Sequence, residues 1–142
     1  MMCMSNAITN RTMPPSTIIP ILEYRDVDEA IRWLSTAFNF VERWRVDNHR
    51  AQISFEGGTI VIVPPQGEAP RLQSLLVRVK DIEDHCLNAK KKGVTIVQEP
   101  SDFPYGERQY TALDLDGHTW TFSQSINDVA PEAWGGRTHK LS

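Results

Sequence analysis

Tyr24-Arg25-Asp26-Val27-Asp28 returns 55 residues later as Val79-Lys80-Asp81-Ile82-Glu83. A second stretch, Glu56-Gly57-Gly58-Thr59-Ile60-Val61-Ile62, returns in outline as Leu115-Asp116-Gly117-His118-Thr119-Trp120-Thr121. Each copy pairs a strand end with an Asp able to cap a helix, and follows them with a Gly turn that opens a strand. Asp26 and Gly58 are 32 residues apart, and Asp81 and Gly117 are 36 apart. The longer spacing predicts an extra loop at 100–107. An internal repeat on this scale decides the fold more firmly than any single motif.

Working outward, 17–24 is a β-branched run that reads as a strand. Pro20 cannot donate to a ladder, so the strand belongs at an edge or breaks there. Asp26 stands three residues before Glu29, a spacing that satisfies free amides at a helix start. Ala30, Trp33, Leu34 and Phe38 then recur at helical spacing. Strand-like runs follow at 40–46, 51–55 and 59–63, with Asp47-Asn48 and Gly57-Gly58 as turns. The pattern restarts with a strand at 73–79, a helix from Asp81 to about Lys92 stopped by Gly93, and strands at 94–97, 109–113 and 118–123.

The predicted class is therefore α+β: two βαβββ modules whose mixed sheets meet edge to edge and curl into a cup, with the helices outside. The divisions are a disordered arm (1–16), a first module (17–64), a linker (65–72), a second module (73–124) and a tail (125–142).

Composition narrows the function. The chain has 142 residues, 40% hydrophobic and 23% charged, enough to bury a core without metals or disulfides. A net charge of −3 gives no reason to expect a nucleic-acid or anionic-membrane partner. No apolar run is long enough for a membrane span and no secretory signal is visible, so a reduced cytoplasmic protein is expected. The two cysteines, Cys3 and Cys86, make no disulfide framework. Cys86 adjoins His85, but neighbours on a helix point about 100° apart, which favours a core thiol over a nucleophile. There is no Gly-x-Ser-x-Gly elbow and no phosphate-cradling loop. His49, His85, His118 and His139 share no ligand spacing and read as surface or loop residues.

Three stretches together resemble the vicinal oxygen chelate superfamily of glyoxalases, bleomycin resistance proteins and dioxygenases. They are Pro20 to Asp26 with Ala30 to Leu34 and Ala37 to Phe40; Pro104 to Arg108 with Asp114 to Trp120; and Asp128 to Trp134, which is similar to the tail of bleomycin-resistance-like members. The resemblance implies the cup fold. It also implies metal ligands on the first, fifth and last strands, and in register those positions hold Ile19, Ser74 and Thr121. Isoleucine has no donor atom, and hydroxyls without carboxylates beside them are poor ligands. No metal and no cofactor is therefore expected.

Strand alternation sends Ile21 and Glu23 of the first strand, and Ser74, Leu76 and Arg78 of the fifth, to the concave side. Glu23 and Arg78 are mates under the repeat and would either bind a polar ligand or pair with each other. The resemblance adds Tyr105 and Tyr110 as residues of a groove-bordering segment, and Arg108 beside them is a further ligand-binding candidate. Arg108 is open to a second reading, as an anchor for the loop. Trp44 lines either the cup or a dimer seam. The favoured function is a metal-free small-molecule-binding protein, sequestering an aromatic or antibiotic-like ligand as a homodimer. Bleomycin itself, being cationic, is a poor match to so mildly acidic a chain. The alternatives are a metal-dependent glyoxalase-type lyase or isomerase, an extradiol-type dioxygenase, and a metal-free enzyme with Glu23 as a general base of raised pKa.

Overall fold

The computed structural model describes residues 8–139. Cys3, the first seven residues of the expected arm and the last three of the tail lie outside them. Asp26 caps α1 (Val27–Phe38) as its spacing predicts, its carboxylate accepting the Glu29 N–H at 3.0 Å. Val27, Ala30, Ile31, Leu34, Ala37 and Phe38 form the buried stripe at i, i+3, i+4, i+7 spacing. Asn39, with φ 64°, ends the helix in the left-handed conformation that Asn tolerates. Asp81 caps α2 (Ile82–Lys91) in the same way through the Asp84 N–H at 3.1 Å, and Gly93 turns the chain at φ 80°.

The strands are β1 (Ile21–Glu23), β2 (Val41–Val46), β3 (Arg50–Phe55), β4 (Gly58–Val63), β5 (Ser74–Arg78), β6 (Thr95–Phe103), β7 (Glu107–Leu113) and β8 (Thr119–Ser125). They form two four-stranded sheets, ordered β1-β4-β3-β2 and β5-β8-β7-β6. The parallel pairs are β1 with β4 and β5 with β8; the others are antiparallel. The two βαβββ modules are thus present in the predicted order, with β1 and β5 as edge strands.

Two expectations need correction. The extra residues near 100–107 are mostly strand: β6 runs through Pro100 to Phe103, and only 104–106 turn. Register shifts on either side of Gln98 absorb the residues and leave room for a proline without an N–H. Residues 11–16, part of the segment expected as a disordered arm, lie against the first sheet. The Trp44 indole N–H donates to Thr12 O at 2.9 Å, the Arg43 guanidinium to Arg11 O at 3.3 Å, and Pro14 is buried.

One core joins the modules. Phe38 of α1 meets Trp120 and Phe122 of β8 with ring centroids 5.6 and 4.8 Å apart, and Phe40 meets Trp120 at 5.5 Å. Both helices share this side, so the faces carrying Ile21 and Leu76 form the concave surface.

Candidate ligand-binding cleft

A polar pin holds the modules together at one end. Asp114 is buried and accepts the Tyr24 hydroxyl at 2.6 Å, the Trp120 indole N–H at 2.9 Å, and three backbone N–H groups of 116–118 at 3.0 Å. Burial, reinforced by the Asp114 charge, pushes the Tyr24 hydroxyl far above its usual pKa, so it stays a donor. His118 is the second pin. Its Nδ1 accepts the Gln73 N–H at 3.0 Å, which places the proton on Nε2 for donation to Glu23 O at 2.7 Å. His118 lies in the loop before β8, as read, but not at the surface: it is fully buried, staple-like, between β1 and the start of β5.

At the other end the seam stays open. The N-terminal approach to β1, the β3–β4 hairpin and β5 enclose a cleft of about 380 Å3. Phe40, Phe55 and Trp120 line it together with Ile60, Leu75 and Val77, while Glu56 and Arg78 bring charge to it. Cavities of this size with apolar walls and a few polar groups are typical of small-molecule sites. Flat rings gain there by area burial and by edge or offset stacking on Phe55, the half-buried aromatic of the three; Phe40 and Trp120 are buried beneath.

The expected site residues divide. Arg78 lines the cleft and has no ion pair among the described residues. Glu23 does not pair with Arg78, because Arg71 of the linker reaches it first: its backbone N–H, Nε and Nη2 donate to the carboxylate at 2.9, 3.0 and 2.6 Å. Those bonds hold the Glu23 pKa below the ordinary carboxylate value, the reverse of a general base raised by an apolar pocket. Ile21, Ser74 and Thr121 stand on the concave faces, with the Thr121 hydroxyl 3.0 Å from that of Thr111. Trp44 is on the concave face of β2 under the strap at 11–16.

The Tyr105 hydroxyl donates to Gln109 at 3.1 Å, and its ring packs at a tilt against Trp134 with centroids 5.3 Å apart. Arg108 and Tyr110 turn the other way. Arg108 pairs with Glu83 of α2 at 2.5 Å and Asp102 at 2.9 Å, an anchoring role, and Tyr110 is fully buried beneath α2. Phe55, Leu75 and Val77 are cleft residues beyond the sequence-derived set; the alternation that puts Leu76 and Arg78 on the concave side leaves Leu75 and Val77 on the opposite face of β5.

The comparisons with known proteins agree with this geometry. The model of the Glyoxalase/Bleomycin resistance protein/Dioxygenase superfamily matches residues 21–122. The chain belongs to this superfamily. TioX from Micromonospora sp. ML1 is 28% identical, covering 81% of this chain and 100% of its own, with a TM-score of 0.67. A glyoxalase/bleomycin resistance protein/dioxygenase from Nocardioides is 16% identical over 96% of this chain and 93% of that one, with a TM-score of 0.64. A lactoylglutathione lyase from Agrobacterium tumefaciens is 14% identical over 87% and 99%, also at 0.64. The last two likenesses speak for the fold alone. No curated protein matches.

Membership in the superfamily raises the question of a metal, and the donors present do not fit one. Ile19 offers no lone pair, Ser74 is an exposed hydroxyl on the edge strand, and the Thr121 hydroxyl is shared with Thr111. Among the described residues no group of three or more His, Cys, Asp or Glu side chains can hold a metal ion.

His85 corrects the histidine reading. It is half-buried, 4.2 Å by ring centroid from Phe122, with Nδ1 2.5 Å from the Tyr110 hydroxyl. Burial pushes its pKa down to about 4, so the ring is neutral at pH 7. His49 and His139 are exposed as expected. Cys86 is buried, and burial pushes its thiol pKa up, which suits a core residue and opposes a nucleophile.

Proposed function

We propose that this protein is a small-molecule-binding member of the superfamily that takes a planar, mainly apolar aromatic ligand without a metal. The observation that carries the reading is the cleft walled by Phe55, Leu75 and Val77 over the buried rings of Phe40 and Trp120, with Arg78 and Glu56 along it. The chemistry of Ile19, Ser74 and Thr121 supports the metal-free part. A fused aromatic ring fits between the edge strands, with polar substituents directed to Arg78. We place the protein in the cytoplasm as a homodimer, the second copy meeting the open face on which Leu76 is 68% exposed. No helix among the described residues is long and apolar enough to cross a membrane.

The test is equilibrium dialysis against a panel of planar heteroaromatic compounds in EDTA, repeated after loading with Zn2+, Ni2+, Mn2+ or Fe2+. Saturable binding of about one ligand per chain that is indifferent to metal is expected. Binding that appears only with a tightly retained metal would reverse the reading and favour a glyoxalase-type or dioxygenase-type enzyme.

A further inference from the structure

The concave side of the first sheet is not empty. Across it, strand register sets Trp44, Gln52, Val61 and Ile21 in one row. Gln52 is only 2% exposed and Val61 5%, although both face away from the helices and the core. The segment that crosses this row is the chain's own 11–16. Its carbonyls at Arg11 and Thr12 accept from Arg43 and from the Trp44 indole, and its Pro14 is buried. Arg43 also donates to the Gln52 side chain, so one guanidinium ties the strap to the sheet. Ser16 then reaches the Gly57 carbonyl at 3.5 Å, and Ile18 and Pro20 continue as walls of the cleft.

These contacts suit a short proline-containing peptide: the backbone turns at 10–13, where the Met13 N–H donates to Asn10 O at 3.0 Å, and the Arg11 and Thr12 carbonyls are left for the sheet's donors. Pro14-Pro15 favours an extended backbone and has no N–H to leave unsatisfied against the sheet face. On β2 the donors are side chains of the sheet and the acceptors the strap's carbonyls; at Ser16 the polarity reverses, its hydroxyl donating to Gly57 O. The corresponding row in the second module, Leu76, Thr121, Thr111 and Gln98, has no such cover.

We propose that residues 11–16 are a tethered occupant of the first module's half of the cup, and that their release widens the cleft whose wall they continue into. The segment acts as an internal competitor: an external ligand reaches the Trp44–Val61 row only when the strap lifts. The consequence for ligand rests on the binding function proposed above; the docking of the strap does not.

The test uses the full chain and Trp44→Phe, which keeps the aromatic ring and removes the N–H to Thr12. Two readouts need no ligand. In the wild type, the Trp44 indole proton should exchange at least tenfold more slowly than a free indole. Tryptic cleavage after Arg11 should be about fivefold faster in Trp44→Phe, the change expected for loss of one hydrogen bond when cleavage tracks opening. Arg43→Gln gives a second route to the same release. The third readout is the affinity of 1-anilinonaphthalene-8-sulfonate, an aromatic anion, which should rise severalfold in both variants.

An unprotected indole, or cleavage at the wild-type rate in both variants, would overturn the docking. Normal release with unchanged probe affinity would overturn the competition. If the probe binds no form while release behaves as expected, the binding function of the cleft fails and the competition fails with it, but the docking stands.

Discussion

The two modules share a backbone plan and differ in what covers their concave faces. Ile21 and Leu76 occupy equivalent places, as do Glu23 and Arg78. Yet Glu23 is sealed by Arg71 from the linker, whereas Arg78 faces the cleft with no ion pair among the described residues, its charge helping to hold down the Glu107 pKa. The first face is crossed by the strap; the second carries a ladder of hydroxyls and amides that satisfy one another. Thr111 meets Thr121 at 3.0 Å, Gln109 meets Ser123 at 3.0 Å, and Ser123 and Ser125 donate to Glu107 at 2.6 and 2.5 Å. Those bonds hold the Glu107 pKa below its usual range. A duplicated fold thus fixes where strands run, while segments outside the repeat decide which face is free to bind. Fold alone is silent on that point.

The largest expected effect comes from the hairpin in which the copies diverge most. Asp114 in the second module stands where Phe55 stands in the first. Asp114→Ala leaves the Tyr24 hydroxyl and Trp120 indole without their buried acceptor, and should cost about 3–5 kcal/mol in urea unfolding. Phe55→Ala should cost less, because Phe55 is only partly buried at the edge of the cleft. Equal losses would mean that the modules are not pinned at this corner.

The next effect is pH-dependent and belongs to the second module. The His85 pKa in the folded chain lies near 4, below the unfolded value of about 6.5. The unfolded state therefore binds the proton first. Stability should fall as pH drops from about 6.5 toward 4, by at most about 1.4 kcal/mol per pH unit. His85→Gln should flatten that slope in unfolding curves taken across the window; an unchanged slope would show that His85 is not the group responsible.

The smallest effect concerns the first module. The Glu23 pKa is lowered by Arg71, so its contribution is present above the ordinary carboxylate value and lost as pH falls through and below it. Arg71→Ala should remove a stability increment at neutral pH that disappears in acid and shrinks in high salt, since Arg71 itself is exposed. A difference between variant and wild type that does not vary with pH would contradict this.

Much of the architecture is legible in the chain. The caps at Asp26 and Asp81, the stop at Gly93 and the repeated Gly turns are local signals, and they mark both helices and the strand order. Strand alternation also placed Ile21, Ser74 and Leu76 on the concave side. What was not legible depends on distant residues meeting. Tyr24 and Asp114 are 90 positions apart, and Glu23 and Arg71 are 48 apart. Nothing near His118 in the chain shows that its two nitrogens bridge a backbone N–H and a backbone carbonyl. The strap was missed because Ser, Thr, Asn and Pro without an apolar period read as disorder, while its carbonyls find donors on β2. Family analogy gives Tyr110 to the groove, and Arg108 stands next to it as a ligand candidate; parity along β7 with buried Ala112 sends both to the helix side.

The most direct test of the account is a backbone-amide NMR titration of metal-stripped protein with a planar aromatic acid. Binding at the open seam predicts shifts at 57–60 and 75–78 together, on both sides of the cleft, with the concave row of the first module silent until Trp44 is replaced. Shifts confined to one module, or none until a divalent metal is added, would contradict it.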